Sequence, residues 1–316
     1  MPPVIDRNRP AVFLESDVVI CQKTASSPYN PNHRAGKGFF DPFMDHAQNR
    51  RRRMEERVER VFHRLADGVI RRWPRPAPPP HLLKACRIIS HRGEHDNHSR
   101  FENTLAAFDA AVNAGVWGIE LDLRWTRDQV PVVFHDPDTR RLFNEETRIG
   151  NVALDTLKGK FPLIPTLSEV VDRYGGRLHL MMEIKTEPYP QPAVQCRRLR
   201  QQLKDLSPGK DFHLMGLHPD MFGYFGFLPP KAFIPIARIR MDRFSRMAVA
   251  RQYGGLAGHY LLATHSVLIR HHRLGQGVGT GFADSRRCLF REVTRGVDWI
   301  FSNRAAEMQA VCDRKP

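Results

Sequence analysis

The sequence has few cysteines and no long apolar run, and each shortage limits the cellular compartments in which the protein is expected. The five cysteines are scattered and form no C-x-x-C pair, which predicts free thiols in a reducing compartment. No apolar run is long enough to cross a bilayer, and the opening residues lack the pattern of a signal peptide. We therefore expect a cytoplasmic protein, with peripheral membrane association as the alternative.

Four short runs have the composition of buried strands and carry polar residues within them or at their carboxyl ends. The runs are 86–90 with His91 and Arg92, 117–123 with Glu120 and Asp122, 130–134 with His135, and 178–185 with Glu183 and Lys185. The second and fourth runs alternate, so each pair of polar residues shares one face of its strand. Polar side chains are thus expected at one edge of a sheet.

A helix is predicted between the first two runs. Asn103 and Thr104 favour a helix start, Leu105 and Phe108 begin an apolar stripe at helical spacing, and Gly115 favours the end. The order is then strand, helix, strand, strand.

The carboxylates point to a cation. Glu120 and Asp122 on one buried face repel each other and need a cation or a proton to remain there. Glu183 would complete a site of three carboxylates, and oxygen ligands favour hard ions such as Mg²⁺ or Ca²⁺. Arg92 and Lys185 would add positive charge for a phosphate. This set is suited to metal-assisted cleavage of a phosphate ester.

Each of these residues also has a structural interpretation. A lone His91 is more often structural, and a Glu-x-Asp pair is often a solvated strand face. His135 could cap a strand end, and Glu183 could simply pair with Lys185. The joint pattern favours the functional interpretation, because all of these groups fall in order on strands that otherwise look buried.

The order and spacing of five motifs resemble those of a known family. The motifs are His91-Arg92-Gly93, Glu102-Asn103-Thr104, Glu120-Leu121-Asp122, His135-Asp136 and Glu183-Ile184-Lys185. They resemble the glycerophosphodiester phosphodiesterase family over roughly residues 86–312. The resemblance implies an α/β fold, the (β/α)₈ TIM barrel, with the site at the carboxyl ends of the strands.

The resemblance also implies an activity and a role for each residue. His91 and His135 would be the acid/base pair. One divalent cation, Mg²⁺ or Ca²⁺, would be held by Glu120, Asp122 and Glu183. Arg92 and Lys185 would contact the phosphate, with Glu102 in support. The implied reaction is metal-dependent hydrolysis of glycerophosphodiesters to glycerol 3-phosphate and an alcohol, begun by the glycerol's own neighbouring hydroxyl. The alternatives are a lysophospholipase D that acts on lysophospholipids and a membrane-recruited binding protein without activity.

The sequence departs from the family pattern in three places. Phe101 stands where the family usually has proline. The segment between His135 and Ile164 is shorter than the usual insertion, which predicts a pocket that is either more open or capped by another part of the chain. The tryptophan of a late strand is absent, and Phe282 is the nearest candidate for the missing aromatic wall. These departures leave the alcohol group of the substrate open.

An N-terminal extension over residues 1–80 is expected to precede the barrel of residues 81–316. The net charge is +15, and part of it lies in residues 50–72, where apolar residues recur at helical spacing among arginines. We favour a basic amphipathic helix that packs on the barrel, and the alternative is contact with an anionic membrane. The acidic catalytic set argues against a specific nucleic-acid partner.

Nine candidate strands compete for eight barrel positions. The segment at residues 258–262 is the one that we expect to lie at an edge or in a loop. The histidines of the second half, including His213 and His259, are expected to be mostly structural.

Overall fold

The computed structural model describes Gly68 and residues 74–314. The predicted extension of residues 1–80 therefore lies almost wholly outside the described residues, as does the predicted basic helix of residues 50–72 apart from Gly68. The division into an extension and a barrel stays a prediction. Among the described residues, no helix combines the length and apolar character needed to cross a bilayer.

Residues 74–314 form a closed barrel of parallel strands, as predicted. The strands are β1 (Ile88–His91), β2 (Gly118–Trp125), β3 (Pro131–Val133), β4 (His179–Ile184), β5 (Phe212–Gly216), β6 (Phe233–Ala237), β7 (Gly255–His259), β8 (Gly277–Gly281) and β9 (Trp299–Ser302). β1 pairs in parallel with both β2 and β9, which closes a ring of eight strands. β3 is outside the ring and pairs antiparallel with β2.

Helices follow most of the strands and cover the barrel. They are α1 (Pro80–Lys84), α2 (Leu105–Asn113), α3 (Arg140–Phe143), α4 (Leu154–Lys160), α5 (Leu167–Tyr174), α6 (Pro192–Gln202), α7 (Met241–Ala250), α8 (His265–His272), α9 (Arg286–Arg295) and α10 (Ala305–Cys312). Short 3₁₀ turns occupy Ile149–Asn151, Pro219–Phe225 and Pro230–Ala232. The predicted helix is α2, which begins where the Thr104 hydroxyl accepts a hydrogen bond from the Ala107 amide.

Two apolar layers hold the barrel strands in place. Alternate strand residues point outward to the helices, and fully buried Phe108 and Tyr174 pack there edge to face. The opposite residues fill the interior of the ring, namely Ile89, Met181, Met215, Ile234, Ala257, Trp299 and Phe301. Because the interior is packed, polar groups gather at the carboxyl ends of the strands.

The prediction for residues 258–262 was wrong. Gly258 and His259 belong to β7, which pairs with β6 and β8 inside the ring. The strand outside the ring is β3, from the predicted run 130–134. A tight turn, in which Gln129 has φ of 62°, reverses the chain after β2 and makes this strand antiparallel. Apolar composition alone does not distinguish such a hairpin arm from a barrel strand.

Gly93 lets the chain turn out of β1 directly beneath the predicted site. Its replacement by alanine is expected to destabilise the fold. Gly93 has φ of 79°, and a Cβ there would lie 2.7 Å from the backbone carbon of Ala107. Gly115 has φ of 76° with nothing within 4 Å, so it is a matched control. Gly115→Ala should cost about 1–2 kcal/mol, whereas Gly93→Ala should cost about 3 kcal/mol because the backbone must also shift. Urea unfolding measures both, and equal losses would contradict the prediction.

Candidate active site

The predicted site residues all meet at the carboxyl end of the barrel. His91 ends β1, Glu120 and Asp122 lie on β2, and Glu183 lies on β4. Strand register places His91 beside Glu120, and Asp122 beside Glu183. A pocket of about 490 Å³ opens there, lined by His91, Arg92, Glu120, His135, Glu183 and Lys185, with Asp122 fully buried behind it.

Three carboxylates form a tight cluster. Glu120, Asp122 and Glu183 each offer an oxygen atom, and these atoms lie within 4.8 Å of one another. Burial raises the pKa of Glu120 well above its ordinary value, and the charge of Asp122 raises it further. The protein side chains therefore do not supply enough positive charge to keep all three ionised. A divalent cation with oxygen ligands fits this cluster.

Two cations touch the same cluster. Lys185 Nζ lies 2.5 Å from Asp122 Oδ1 and 2.7 Å from Glu183 Oε1, while Arg92 Nε lies 3.2 Å from Asp122 Oδ2. Burial opposes the ionisation of Asp122, but Lys185 and Arg92 lower its pKa well below the ordinary value. The two cations therefore favour the ionised form of Asp122, whereas burial favours the neutral form of Glu120. Both cations also line the pocket, where a phosphate would meet them.

Glu102 holds Arg92 in place. Its Oε1 lies 2.9 Å from Arg92 Nη1 and 2.5 Å from Arg141 Nη2. Burial opposes the ionisation of Glu102, yet the hydrogen bond from Arg141 and the charge of Arg92 lower its pKa to about 2. Arg141 Nε also lies 2.5 Å from Asp136 Oδ2, so one arginine links the β1–α2 loop to the residue after His135.

The two histidines have different partners. His91 Nδ1 lies 2.8 Å from Asn303 Oδ1, and the Asn303 amide nitrogen donates to Asp284 at 3.1 Å, which orients the amide. Because Asn303 Oδ1 only accepts, the proton of His91 is on Nδ1. His135 Nδ1 instead lies 2.7 Å from the Asp136 carboxylate. Burial lowers the pKa of His91 to about 3, and the charge of Arg92 adds to this effect.

The far wall of the pocket is mainly apolar. It consists of Met215, Leu217, Ile236, Ala257, Phe282 and Phe301. The Phe282 ring lies 4.6 Å from that of His91, centroid to centroid, so an aromatic side chain does stand at the predicted position. Arg238 and His259 add polar groups at this side, and His213 lies at the opposite end of the barrel.

Sequence reasoning did not single out Asn303, Asp284 or Arg141. Asn303 directly follows β9, so the same carboxyl-end rule that found His91 would have found it. Arg141 lies in the short segment after β3, where no periodicity marks a contact with Glu102. Asp136 was noted beside His135, but its hydrogen bond was not predicted.

Comparison with known sequences finds relatives among the glycerophosphodiester phosphodiesterases. Residues 91–210 match the model of the glycerophosphoryl diester phosphodiesterase family. A glycerophosphodiester phosphodiesterase of Caldanaerobacter subterraneus is 36% identical over 125 residues, which are 36% of this chain and 51% of the relative. One from Bacillus altitudinis is 25% identical over 235 residues, or 69% of this chain and 94% of the relative.

Solved structures share the fold. A glycerophosphodiester phosphodiesterase from Thermotoga maritima superimposes with a TM-score of 0.60 at 20% identity, over 72% of this chain and 98% of that one. An Oleispira antarctica phosphodiesterase bound to sn-glycerol-3-phosphate gives 0.61 at 22% identity, over 72% and 97%. The chain spans about half the length of the first curated relatives. The five motifs, the barrel and these matches all support the glycerophosphodiester phosphodiesterase family, whose model matches residues 91–210.

Proposed function

We propose that the protein hydrolyses glycerophosphodiesters to glycerol 3-phosphate and an alcohol, with one divalent cation. One observation carries the proposal: a single pocket brings a cluster of three carboxylates together with two histidines that have chemically different partners. The match of residues 91–210 to the family model supports it, as does the glycerol 3-phosphate in the Oleispira antarctica structure.

Glu120, Asp122 and Glu183 would hold the cation, either Mg²⁺ or Ca²⁺. When bound, it supplies positive charge that polarises the phosphoryl oxygens of the diester. Arg92 and Lys185 add fixed charge from the protein. Their contacts with buried carboxylates keep them in position before the phosphate arrives, so little reorganisation is needed during the reaction.

His91 is assigned as the base. Asn303 holds the proton on Nδ1, which leaves the lone pair of Nε2 available inside the pocket. Burial and the charge of Arg92 favour the neutral ring and outweigh the charge of Asp122 and the Asn303 hydrogen bond, which favour the imidazolium form. Nε2 is therefore suited to take a proton from the hydroxyl that attacks phosphorus.

His135 is assigned as the acid. The Asp136 carboxylate accepts a hydrogen bond from Nδ1, so the proton that the ring would donate in the reaction is the one on Nε2. The glycerol hydroxyl attacks phosphorus and gives its proton to His91, while the bond from phosphorus to the alcohol oxygen breaks and that oxygen takes a proton from His135. Water then opens the cyclic phosphodiester with the two roles reversed.

A lysophospholipid is a second candidate substrate. The apolar wall of the pocket favours it, because a hydrocarbon chain could be buried there against Leu217, Ile236 and Phe282. A protein without activity is disfavoured by the acidic cluster and the two histidines.

The discriminating experiment compares substrates and metal. Full-length protein is assayed on glycerophosphocholine and on lysophosphatidylcholine, with and without chelator. Hydrolysis of the first, lost in chelator and restored by Mg²⁺ or Ca²⁺, is the expected result. Preference for the second would favour a lysophospholipase D. Neither reaction under any metal would contradict the proposal.

Substitutions of Asn303 test whether this side chain positions His91 for the reaction or only supports the fold. Asn303→Ala removes the acceptor of His91 Nδ1 and should lower kcat at least about tenfold. Asn303→Asp places a carboxylate there, which should raise the pKa of His91. Since the base must be neutral, the acidic limb of the kcat/KM profile should then shift to higher pH. A variant with an unchanged pH profile would contradict the role.

A further inference from the structure

The loop after β6 carries an exposed isoleucine between two arginines. Ile239 is 74% exposed, the most exposed large apolar side chain among the described residues, and Arg238 and Arg240 on either side are exposed as well. The loop follows Ala237 at the carboxyl end of β6, and Arg238 lines the catalytic pocket. The isoleucine therefore stands at the mouth of the barrel.

A second exposed apolar group stands at the same mouth. Phe282 follows β8, is 37% exposed and lines the pocket beside His91. Leu217 and Ile236 continue the apolar lining inward. An apolar path thus leads from the exposed rim to the reacting groups.

The charge around this rim is positive. The segments 238–243 and 282–287, each a loop with the start of the helix that follows it, together carry five arginines and two aspartates. Asp242 is already engaged by Arg246 and Arg270, and Asp284 accepts hydrogen bonds from Ser302 and Asn303. Arginines outnumber aspartates in these segments, so the net charge is positive around exposed apolar side chains, which is the composition that binds the interface of an anionic bilayer.

We propose that this mouth rim, Arg238–Arg240 with Phe282, docks on an anionic lipid surface. Ile239 inserts among the acyl chains, Arg238 and Arg240 contact lipid phosphates, and the pocket faces the surface. An amphiphilic phosphodiester then enters the site directly from the interface. The contact differs from the one considered for residues 50–72 and does not depend on hydrolysis.

Vesicle sedimentation of the full chain tests the proposal. Phosphatidylcholine vesicles with and without phosphatidylglycerol are compared for the wild type, Ile239→Asp and Leu274→Asp. Leu274 is a matched control, because it is 56% exposed and follows Arg273 at the opposite end of the barrel. Ile239→Asp should weaken binding to anionic vesicles about tenfold or more, and Leu274→Asp should leave it unchanged. Arg240→Gln should weaken it about fivefold, and salt should reduce this difference.

Three outcomes would overturn the docking surface: no binding of the wild type to anionic vesicles, equal binding of wild type and Ile239→Asp, or equal losses in the two aspartate variants. Folding of Ile239→Asp is checked by its rate on soluble glycerophosphocholine, which should match the wild type because Ile239 does not line the pocket. Sedimentation needs no turnover. A wild type that binds vesicles but hydrolyses nothing would therefore contradict the proposed function and leave docking intact.

Discussion

Glu120→Gln should lower hydrolysis of glycerophosphocholine by at least about 100-fold with the fold intact. Loss of residues that merely support metal ligands already costs 10–100-fold, and Glu120 is expected to be a ligand itself. Glutamine keeps the shape of the protonated side chain, and burial beside Asp122 already favours that form. Without metal, the variant should therefore unfold at the same urea concentration as the wild type or a higher one.

The control for this variant is Glu145→Gln. Glu145 is half exposed and pairs with Lys160 at 2.7 Å, away from the carboxylate cluster. Its replacement should change stability by less than about 1 kcal/mol and leave activity unchanged. Wild-type hydrolysis by Glu120→Gln, or full wild-type activity in excess chelator, would contradict the three-carboxylate metal site.

His91→Ala and His135→Ala should each reduce turnover of glycerophosphocholine by about 10²–10⁴-fold. A substrate with a p-nitrophenol leaving group separates the two roles, because this group departs without a proton. Such a substrate should restore much of the rate to His135→Ala and little to His91→Ala, which still lacks the base. Rates of both variants on both substrates, at saturating metal, measure the effect.

Rescue of His91→Ala alone would reverse the assignment of base and acid. Equal rescue of both variants would mean that neither histidine protonates the leaving group. Near-normal turnover of the natural type of substrate by either variant would remove that residue from the mechanism.

The convergence of the three carboxylates could be predicted from the sequence for a simple physical reason. Side chains alternate along a strand, and the carboxyl ends of parallel strands meet at one rim of a barrel. Glu120, Asp122 and Glu183 therefore had to converge once the strands and their order were known. The same rule accounts for His91 at the end of β1.

Contacts that depend on the path of irregular chain could not be predicted. Arg141 reaches Glu102 across 39 residues of sequence, and this contact follows from where the segment after β3 turns. The hydrogen bond between Asn303 and His91 spans 212 residues and requires the first and last strands to be neighbours. Local sequence patterns do not show which distant segments become neighbours, so such contacts are seen only in the folded barrel.

The hairpin outside the ring has a consequence for how the proposed activity would be lost on heating. His135 follows β3, and the segment behind it has a small apolar core of its own, Val132, Phe134, Ile149, Leu157, Phe161 and Ile164. A unit with so few buried contacts opens more readily than the closed ring. On warming, His135, the proposed acid, should leave the pocket while the carboxylates of β2 and β4, the proposed metal ligands, still hold their places, so the proposed activity should be lost before the barrel melts.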